Sequence, residues 1–203
     1  MSDFDSRARG WDNEQRHADR TQAIASEILK SVPVKPGMKA LEYGAGTGML
    51  SFMLKESFSE ITMMDNSREM VNVTNEKIQA AGVKNMHALF IDLEKEDFKG
   101  EFDIIYSQMA LHHVAKVDLL LGKFFYHLSK GGSLAIADLY REDGSFHGEK
   151  KVPHDGFDMD ELSSMLYKNG FSSVAHRQCY VLKKAIASGE VREFPIFLMT
   201  ASK

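Results

Sequence analysis

The regular alternation of strand-like and helix-like segments is the feature of this sequence that most constrains its fold. Short apolar runs predict five strands, at residues 38–43, 60–65, 85–92, 101–108 and 133–140. Helix-like spacing of apolar residues alternates with them, at residues 13–32, 49–58, 66–82, 116–132 and 158–170. Such alternation is typical of a mostly parallel sheet with helices on both faces, so the sequence predicts a three-layer α/β fold.

The end of the chain has a different pattern. Residues 172–186 and 191–202 alternate apolar and polar side chains, and the turn "ASGE" joins them. This pattern predicts a hairpin that adds two antiparallel strands at one edge of the sheet. With 203 residues, the chain is within the size range of one domain that buries a single core.

Composition and charge exclude several classes of protein. The formal net charge is −4, and the basic residues are scattered, which argues against nucleic acid or an anionic membrane surface as the partner. No apolar run approaches the roughly 20 residues that span a bilayer, so we expect no membrane insertion. The N-terminal residues do not resemble a signal peptide, and the single cysteine, Cys179, needs no oxidising compartment. We therefore expect a cytoplasmic protein.

A glycine-rich loop follows the first predicted strand. In "LEYGAGTG", residues 41–48, the glycines are Gly44, Gly46 and Gly48. Such a loop permits either a tight strand–helix turn without a ligand or close approach of the backbone to a nucleotide-like cofactor. The dinucleotide fingerprint G-x-G-x-x-G requires glycine or alanine where this chain has Met49, and no G-K-[ST] of a P-loop follows. The spacing therefore argues against a pyrophosphate ligand.

Three acidic residues occur in or at the ends of successive predicted strands. Glu42 lies two residues before the first glycine and suits a cationic ligand better than a pyrophosphate. Asp65 ends the second strand, where a carboxylate reaches a ribose diol, and a cap for the following helix is the alternative interpretation. Asp92 ends the third strand, where it accepts from an adenine amine or is simply a solvated loop acid. A cationic end, a ribose and an adenine together describe S-adenosylmethionine.

Three residues beside these acids are further candidates for contact with the cofactor. Met70 is placed to lie against the base, although an ordinary core methionine is an alternative interpretation. Asn66 and Leu93 each follow one of the acids directly and are predicted to line the cofactor.

At these residues the chain resembles the class I S-adenosylmethionine-dependent methyltransferases. "LEYGAGTG", "MMDNSREM" and "FIDLEKED" are similar to the cofactor motifs of that family, and "FDIIYSQMALHHV" with "LSKGGSLAIADL" resembles its small-molecule branch, including quinone-biosynthesis methyltransferases. The resemblance covers residues 40–139. It implies a Rossmann-like seven-stranded fold, S-adenosylmethionine as donor with S-adenosylhomocysteine as product, and a backbone near Ser107 that supports the methionine part.

We expect a single methyltransferase domain, residues 1–203, in three parts. Residues 38–139 are the expected cofactor-binding core, and residues 140–203 are the substrate-side loop, helix and hairpin. Residues 1–32 are expected to form a helical lid with Trp11 and His17, because aromatic faces are good neighbours for a sulfonium, although Trp11 as an ordinary packing anchor is the alternative. The "N-P-P-Y" motif of nitrogen-directed DNA and protein methylases is absent. We therefore expect a small-molecule acceptor and no nucleic acid.

The predicted chemistry is in-line transfer of a methyl group, which depends mainly on alignment and exclusion of water. His112 and His113 follow the fourth strand, where either could act as a base for a protic acceptor or serve only in packing. His147, His154 and Asp155 match no recognised spacing of metal ligands, so no metal is expected. The alternative functions are a nicotinamide-dependent oxidoreductase and a non-catalytic S-adenosylmethionine-binding protein. The sequence does not predict the oligomeric state.

Overall fold

The computed structural model describes residues 3–203 and contains the predicted alternation of helices and strands. The helices are α1 (Asp3–Arg7), α2 (Gln15–Ser31), α3 (Met49–Leu54), α4 (Arg68–Ala81), α5 (Val117–His127) and α6 (Met159–Lys168). The strands are β1 (Lys39–Tyr43), β2 (Glu60–Asp65), β3 (Met86–Phe90), β4 (Phe102–Gln108), β5 (Leu128–Leu139), β6 (Ser172–Ala185) and β7 (Val191–Ser202).

The strands form one seven-stranded sheet in the order β3-β2-β1-β4-β5-β7-β6. The strands β1 to β5 are parallel, whereas β7 pairs antiparallel with both β5 and β6. The predicted fold class is therefore confirmed, including the antiparallel C-terminal hairpin. Strand order reverses between β1 and β4, and ligands of open α/β sheets bind at the carboxyl ends of the strands at such a point.

Two apolar cores cover the two faces of the sheet and create the three layers. On one face, buried side chains of α2 and α3, including Ile24, Ile28 and Leu50, pack against the sheet. On the other face, α5 and α6 contribute Phe124 and Leu162. Each helix packs one apolar stripe against a face of the sheet. Because such a stripe has helix-like spacing in the sequence, that spacing predicted the layers correctly.

Side-chain caps begin α4 and α6, and the bounds of α4 and α5 differ from the predicted ones for clear reasons. Ser67 caps α4 by accepting a hydrogen bond from the Met70 amide, so the cap lies one residue after the predicted start of this helix at Asn66. Gly82 ends α4 in the left-handed conformation that its sequence position predicted. Helix α5 ends at His127, five residues before its predicted end at residue 132, because Leu128 is already buried in β5 and pairs with Phe102 of β4.

Two irregular segments flank the carboxyl ends of the strands. At the N-terminus, α1 and a 3₁₀ turn, Ala8–Asn13, lie beside α4. Residues 140–157 form a long loop after β5, and its Glu142 and Asp155 backbones are hydrogen-bonded across the loop. Within the described residues, no helix combines the length and the apolar character needed to cross a bilayer.

Candidate active site

A cavity of about 390 Å³ opens at the carboxyl ends of β1, β2 and β4, where strand order reverses. Its volume is within the range of small-molecule sites. The structure places nine of the predicted residues on its wall, which are Gly44, Gly46, Asp65, Asn66, Met70, Asp92, Leu93, His112 and His113. The predicted Glu42, Gly48 and Ser107 do not line it.

The glycine loop brings two chain segments into contact beside the cavity. Gly44 has φ +65°, and a Cβ at this position would lie 2.4 Å from Cβ of Ala110. The segment that carries His112 therefore packs directly against the loop. Gly46 has φ +56°, and a Cβ there would meet only the Met70 sulfur, at 3.9 Å. Gly44 is thus required by packing, whereas Gly46 leaves space in the cavity.

Gly48 is the third glycine, and packing explains it without a ligand. It precedes α3 with φ +74°, and a Cβ would lie 3.0 Å from Cγ2 of Thr74 and 3.1 Å from the sulfur of Met63. The residue therefore allows the start of α3 to approach α4 and β2. Gly48 was predicted to line the cofactor, but in the structure it lies outside the cavity wall and serves packing.

Asp65 lies at the end of β2 with its carboxylate fixed by backbone amides. Oδ2 accepts from the Gly46 amide at 2.7 Å, and Oδ1 accepts from the Ser67 amide at 2.8 Å. Each oxygen keeps a second lone pair, so the carboxylate can also accept from two hydroxyls. Burial raises the pKa of Asp65, while the amides of Ser67 and Gly46 partly offset that effect. The carboxylate is therefore oriented before any ligand arrives.

Asp92 and Leu93 follow β3, which pairs with β2, so they lie at the same end of the cavity as Asp65. Oδ1 of Asp92 accepts from the Glu94 amide at 3.1 Å, and its Oδ2 accepts from Lys95 at 2.7 Å. Leu93 is buried, and Met70 is buried beside Gly46. These residues form the apolar part of a pocket for a flat ring, with one carboxylate at its rim.

Glu42 and Ser107 lie beneath the cavity. Glu42 is fully buried, and its Oε2 accepts from the amide of Ser51 at 3.2 Å and from the Ser51 hydroxyl. Burial raises the pKa of Glu42 to about 8, so the group is mostly uncharged at neutral pH. The Ser107 hydroxyl donates to the carbonyl of Tyr43 at 2.9 Å and braces β4 against β1. Both residues support the glycine loop from below, and neither reaches the cavity.

His112 is held by a buried carboxylate. Its Nδ1 lies 2.6 Å from Oδ1 of Asp138, and its amide donates to Oδ2 at 3.2 Å. Burial favours the neutral form of Asp138, but His112 and the Leu139 amide outweigh this effect and lower the pKa of Asp138. Because a carboxylate only accepts hydrogen bonds, Nδ1 of His112 carries the proton and its Nε2 is left for another partner.

Two more histidine rings lie against His112. The ring centres of His113 and His147 are 4.1 Å and 5.0 Å from that of His112, and 5.3 Å from each other. Burial, then the neighbouring His112 and His147, lower the pKa of His113 to about 3. Burial, then His112, lower the pKa of His147 to about 4. Both rings are therefore uncharged at neutral pH, and His113 alone is a weak base.

The N-terminal segment contributes to the wall of the cavity, and its role as a lid stays a prediction. Phe4, Trp11 and His17 line the cavity, and Phe4 meets the ring of His113 edge to face at 5.2 Å. The segment is fastened by Asp12, which accepts from Thr47 Oγ1 at 2.5 Å and from Lys77 Nζ at 2.6 Å. Thr47 lies within the glycine loop, so the segment is tied directly to the cavity wall.

Basic side chains face the cavity from the side opposite Asp65 and Asp92. They come from α1, α2, the long loop and β6, and they are Arg7, Arg16, Arg20, Lys150, Lys151 and Lys184. Arg20 is only 6% exposed, and its Nε has no hydrogen-bond partner within residues 3–203. Burial lowers the pKa of Arg20 to about 10, so it still carries its charge at neutral pH. The cavity is acidic at one end and basic at the other.

The sequence patterns did not predict a role for Asp138, Arg20 or Lys184. Asp138 had a usable signal, because an acid inside the apolar strand "SLAIADLY" is seldom fully buried without a partner. Arg20 and Lys184 had none, since both occur in ordinary amphipathic patterns. His154, considered as a metal ligand, instead binds the carbonyl of Val114 through Nε2 at 3.0 Å and anchors the long loop.

Comparisons with known proteins agree with this geometry. The profile of the methyltransferase domain family matches residues 34–189. An uncharacterised methyltransferase of Schizosaccharomyces pombe is 30% identical over 83% of this chain, and the chain spans 64% of its length. The trans-aconitate 2-methyltransferase of Deinococcus radiodurans is 28% identical over 68% of this chain, and here the chain spans 52% of the relative.

A solved structure shows the same fold. Phosphoethanolamine N-methyltransferase 2 of Haemonchus contortus, in complex with S-adenosyl-L-methionine, superposes with a TM-score of 0.71 at 13% identity, covering 91% of this chain and 52% of that one. None of these three proteins bears the name of a quinone-biosynthesis enzyme, and that subtype stays a prediction. The chain belongs to the methyltransferase domain family and has the fold of the class I S-adenosylmethionine-dependent methyltransferases.

Proposed function

We propose that this protein transfers a methyl group from S-adenosylmethionine to a small anionic acceptor. The observation that carries the proposal is the division of one cavity into an acidic end at Asp65 and Asp92 and a basic end around Arg20 and Lys184. The relative from Deinococcus radiodurans and the structural neighbour from Haemonchus contortus are named for trans-aconitate and phosphoethanolamine, which both carry acidic groups.

The acidic end is suited to the nucleoside of the cofactor. Asp65 presents two fixed oxygens, each with a free lone pair, to a ribose diol. Leu93 and Met70 offer apolar contact to the adenine, with Asp92 at the rim to accept from its amine. The turn at Gly44 and Gly46 leaves room for the amino-acid part. All these residues stay proposals for contacts with the cofactor.

The basic end is suited to the acceptor. The Nε donor of Arg20 is buried without a hydrogen-bond partner among the described residues. This arrangement costs free energy, because burial removes the hydration of a charged donor. An anion bound at Arg20 would accept a hydrogen bond from Nε in place of water. Lys184 lines the same side of the cavity and adds a second positive charge. Because lids and walls exclude water, each such charged contact is stronger here than at the protein surface.

The cofactor supplies an already activated methyl group, so the protein mainly aligns the acceptor and excludes water. Alignment of this kind contributes roughly 7–11 kcal/mol to lowering a reaction barrier. In this structure, Arg20 would hold the acceptor's acidic group, while Phe4 and Trp11 cover the cavity. The histidine cluster, His112, His113 and His147, then faces the acceptor near the glycine loop.

The proposal is tested by measuring turnover with acceptors that differ in charge. Release of S-adenosylhomocysteine should be detected with small carboxylates or phosphate esters and be much weaker with their neutral esters or with hydroquinones. The variant Arg20→Gln should lose roughly 10- to 100-fold in kcat/KM for the anionic acceptor, since a charge-assisted hydrogen bond contributes about 1.5–3 kcal/mol. Arg177→Gln is the matched control, because Arg177 is exposed and pairs with Glu27 on the surface.

Other results would contradict the proposal in distinct ways. Equal turnover of charged and neutral acceptors would refute the anionic class, and better turnover of hydroquinones would favour the quinone-related branch. Tight binding of S-adenosylmethionine without turnover of any acceptor would favour a non-catalytic binding protein. Binding of NADH in place of S-adenosylmethionine would favour the oxidoreductase.

A further inference from the structure

The cluster of His112, His113 and His147 has the composition of a metal site. One ring nitrogen from each residue lies within 4.8 Å of those of the other two. In a tetrahedral zinc site, nitrogens at 2.0–2.1 Å from the metal are about 3.3 Å apart. Small rotations of the three rings would therefore bring the nitrogens to ligand distance.

The free nitrogens of the cluster point to a missing partner. Nε2 of His147 is buried without a hydrogen-bond partner among the described residues. Nε2 of His112 is left open because Asp138 engages Nδ1. Neither ring nitrogen of His113 has a hydrogen bond within residues 3–203. A buried imidazole nitrogen normally finds a partner, so the unpaired Nε2 of His147 beside two other histidine rings requires an explanation.

Asp138 provides the outer contact that metal-binding histidines need. A ligating histidine usually donates its other ring nitrogen to a carboxylate, which fixes the tautomer and turns the ring. Asp138 is fully buried and lies 2.6 Å from Nδ1 of His112, and the Leu139 amide holds the same oxygen at 2.7 Å. This carboxylate also contributes one negative charge beneath the cluster.

We propose that His112, His113 and His147 bind a divalent transition metal whose fourth position faces the acceptor. Imidazole ligands suit zinc, cobalt, nickel and iron, and three protein ligands with one open position are typical of catalytic sites. Arg20 and Lys184 in the same cavity oppose a bare dication, so the fourth ligand is an anion that, with Asp138, balances the charge.

The role of the metal in methyl transfer rests on the proposed function. A bound acceptor oxygen, nitrogen or sulfur would lose its proton to solvent on coordination and keep an electron pair directed at the cofactor. That pair forms the new bond to the methyl carbon as the carbon–sulfur bond breaks, and the sulfonium becomes a neutral thioether. The ion therefore takes the place of a general base.

Cobalt(II) is the probe, because its visible spectrum reports tetrahedral nitrogen coordination. We expect the purified chain, stripped with a chelator, to bind about one Co²⁺ per chain, competed by Zn²⁺. Azide should change the spectrum by occupying the open position. His147→Ala should abolish the visible band, and Asp138→Asn should weaken binding by about 10- to 100-fold. His176→Ala is the control, since His176 is exposed on β6.

The outcomes separate this proposal from the proposed function. Unchanged Co²⁺ binding in His147→Ala, or no stoichiometric binding in the native chain, refutes the metal site even if S-adenosylhomocysteine binds and turnover is found. In that case the pair of His112 and Asp138 is left as the proton acceptor. Loss of binding in His147→Ala together with an unchanged melting temperature supports the site, whether or not any acceptor is methylated.

Discussion

The behaviour of single carboxylates in this protein depends on their surroundings more than on their positions in the sequence. Asp65 faces the cavity, with two backbone amides fixing its oxygens. Glu42, only two residues before the glycines, faces the opposite way and is bound by Ser51. Both acids were predicted to line the cofactor, yet only Asp65 lines the cavity, and Glu42 supports the loop from below.

Substitution of Asp65 should weaken cofactor binding. Asp65→Ala removes a charged acceptor for two hydroxyls, so the dissociation constant for S-adenosylhomocysteine should rise at least about tenfold. Titration calorimetry measures this change, and a melting curve without ligand shows how far loss of the Gly46 and Ser67 contacts affects folding. Asp97→Ala, at a fully exposed side chain, is the control. An unchanged dissociation constant would remove Asp65 from the ribose site.

Glu42 should make stability fall as the pH rises. Burial raises its pKa from 4.5 to about 8, so between these values the unfolded chain loses a proton that the folded chain keeps. Each pKa unit corresponds to about 1.4 kcal/mol, and the loss is complete above pH 8. Glu42→Gln should therefore gain stability relative to the native chain from pH 5 to pH 8.5, measured by urea unfolding. Glu56→Gln, which is exposed, should show no such trend.

At the scale of elements, the site is assembled from segments that are far apart in the sequence. The N-terminal segment, the glycine loop, the turn at Leu111–His113, the long loop and β6 all reach one cavity. Asp12 ties the first of these to the second through Thr47 and Lys77. The segment is also held to α4, by Asp5, which accepts from the Ser67 hydroxyl at 2.6 Å, and by the exposed pair of Arg9 with Glu76. Asp12 is the residue that joins it to the glycine loop.

Loss of the Asp12 contacts should loosen the N-terminal segment. Asp12→Ala should change the fluorescence of Trp11, the single tryptophan of the chain, and weaken S-adenosylhomocysteine binding several-fold. Arg9→Ala should have little effect on either measurement, because exposed ion pairs contribute about 0–1 kcal/mol. If Asp12→Ala and Arg9→Ala had equal effects, the contact of Asp12 with the glycine loop would not be what holds the N-terminal segment.

At the scale of the whole molecule, the strand order of the sheet sets the position of the cavity, and therefore which elements a bound ligand stabilises. The cavity lies across β2, β1 and β4, which form the middle and one side of the sheet. The strands, the N-terminal segment and the long loop contact the same space. A ligand that binds there therefore stabilises elements from most of the chain at once.

Thermal unfolding should report this coupling and identify the cofactor. At a concentration 100-fold above its dissociation constant, S-adenosylhomocysteine contributes about 2.7 kcal/mol, which raises the melting temperature of a chain this size by roughly 5–10 °C. NADH at the same concentration should give no shift. A shift with NADH and none with S-adenosylhomocysteine would be incompatible with the cofactor assigned here.

The sequence by itself determined the layers, the hairpin, the glycine loop and the cofactor family. These features follow from local periodicity, turn residues and short motifs, which depend on neighbours along the chain. The sequence also identified Asp65, Asp92 and the histidine pair, because residues that end parallel strands meet at one edge of the sheet.

Only the tertiary structure decided which side chains share the cavity and how each is charged. Arg20, Lys184 and His147 come from three separate segments, and Asp138 meets His112 across 26 residues of chain. No local pattern encodes such contacts, because they depend on the register of packed elements. Burial, which shifts the pKa values of Glu42 and His113 far from their ordinary values, is likewise a property of the folded molecule.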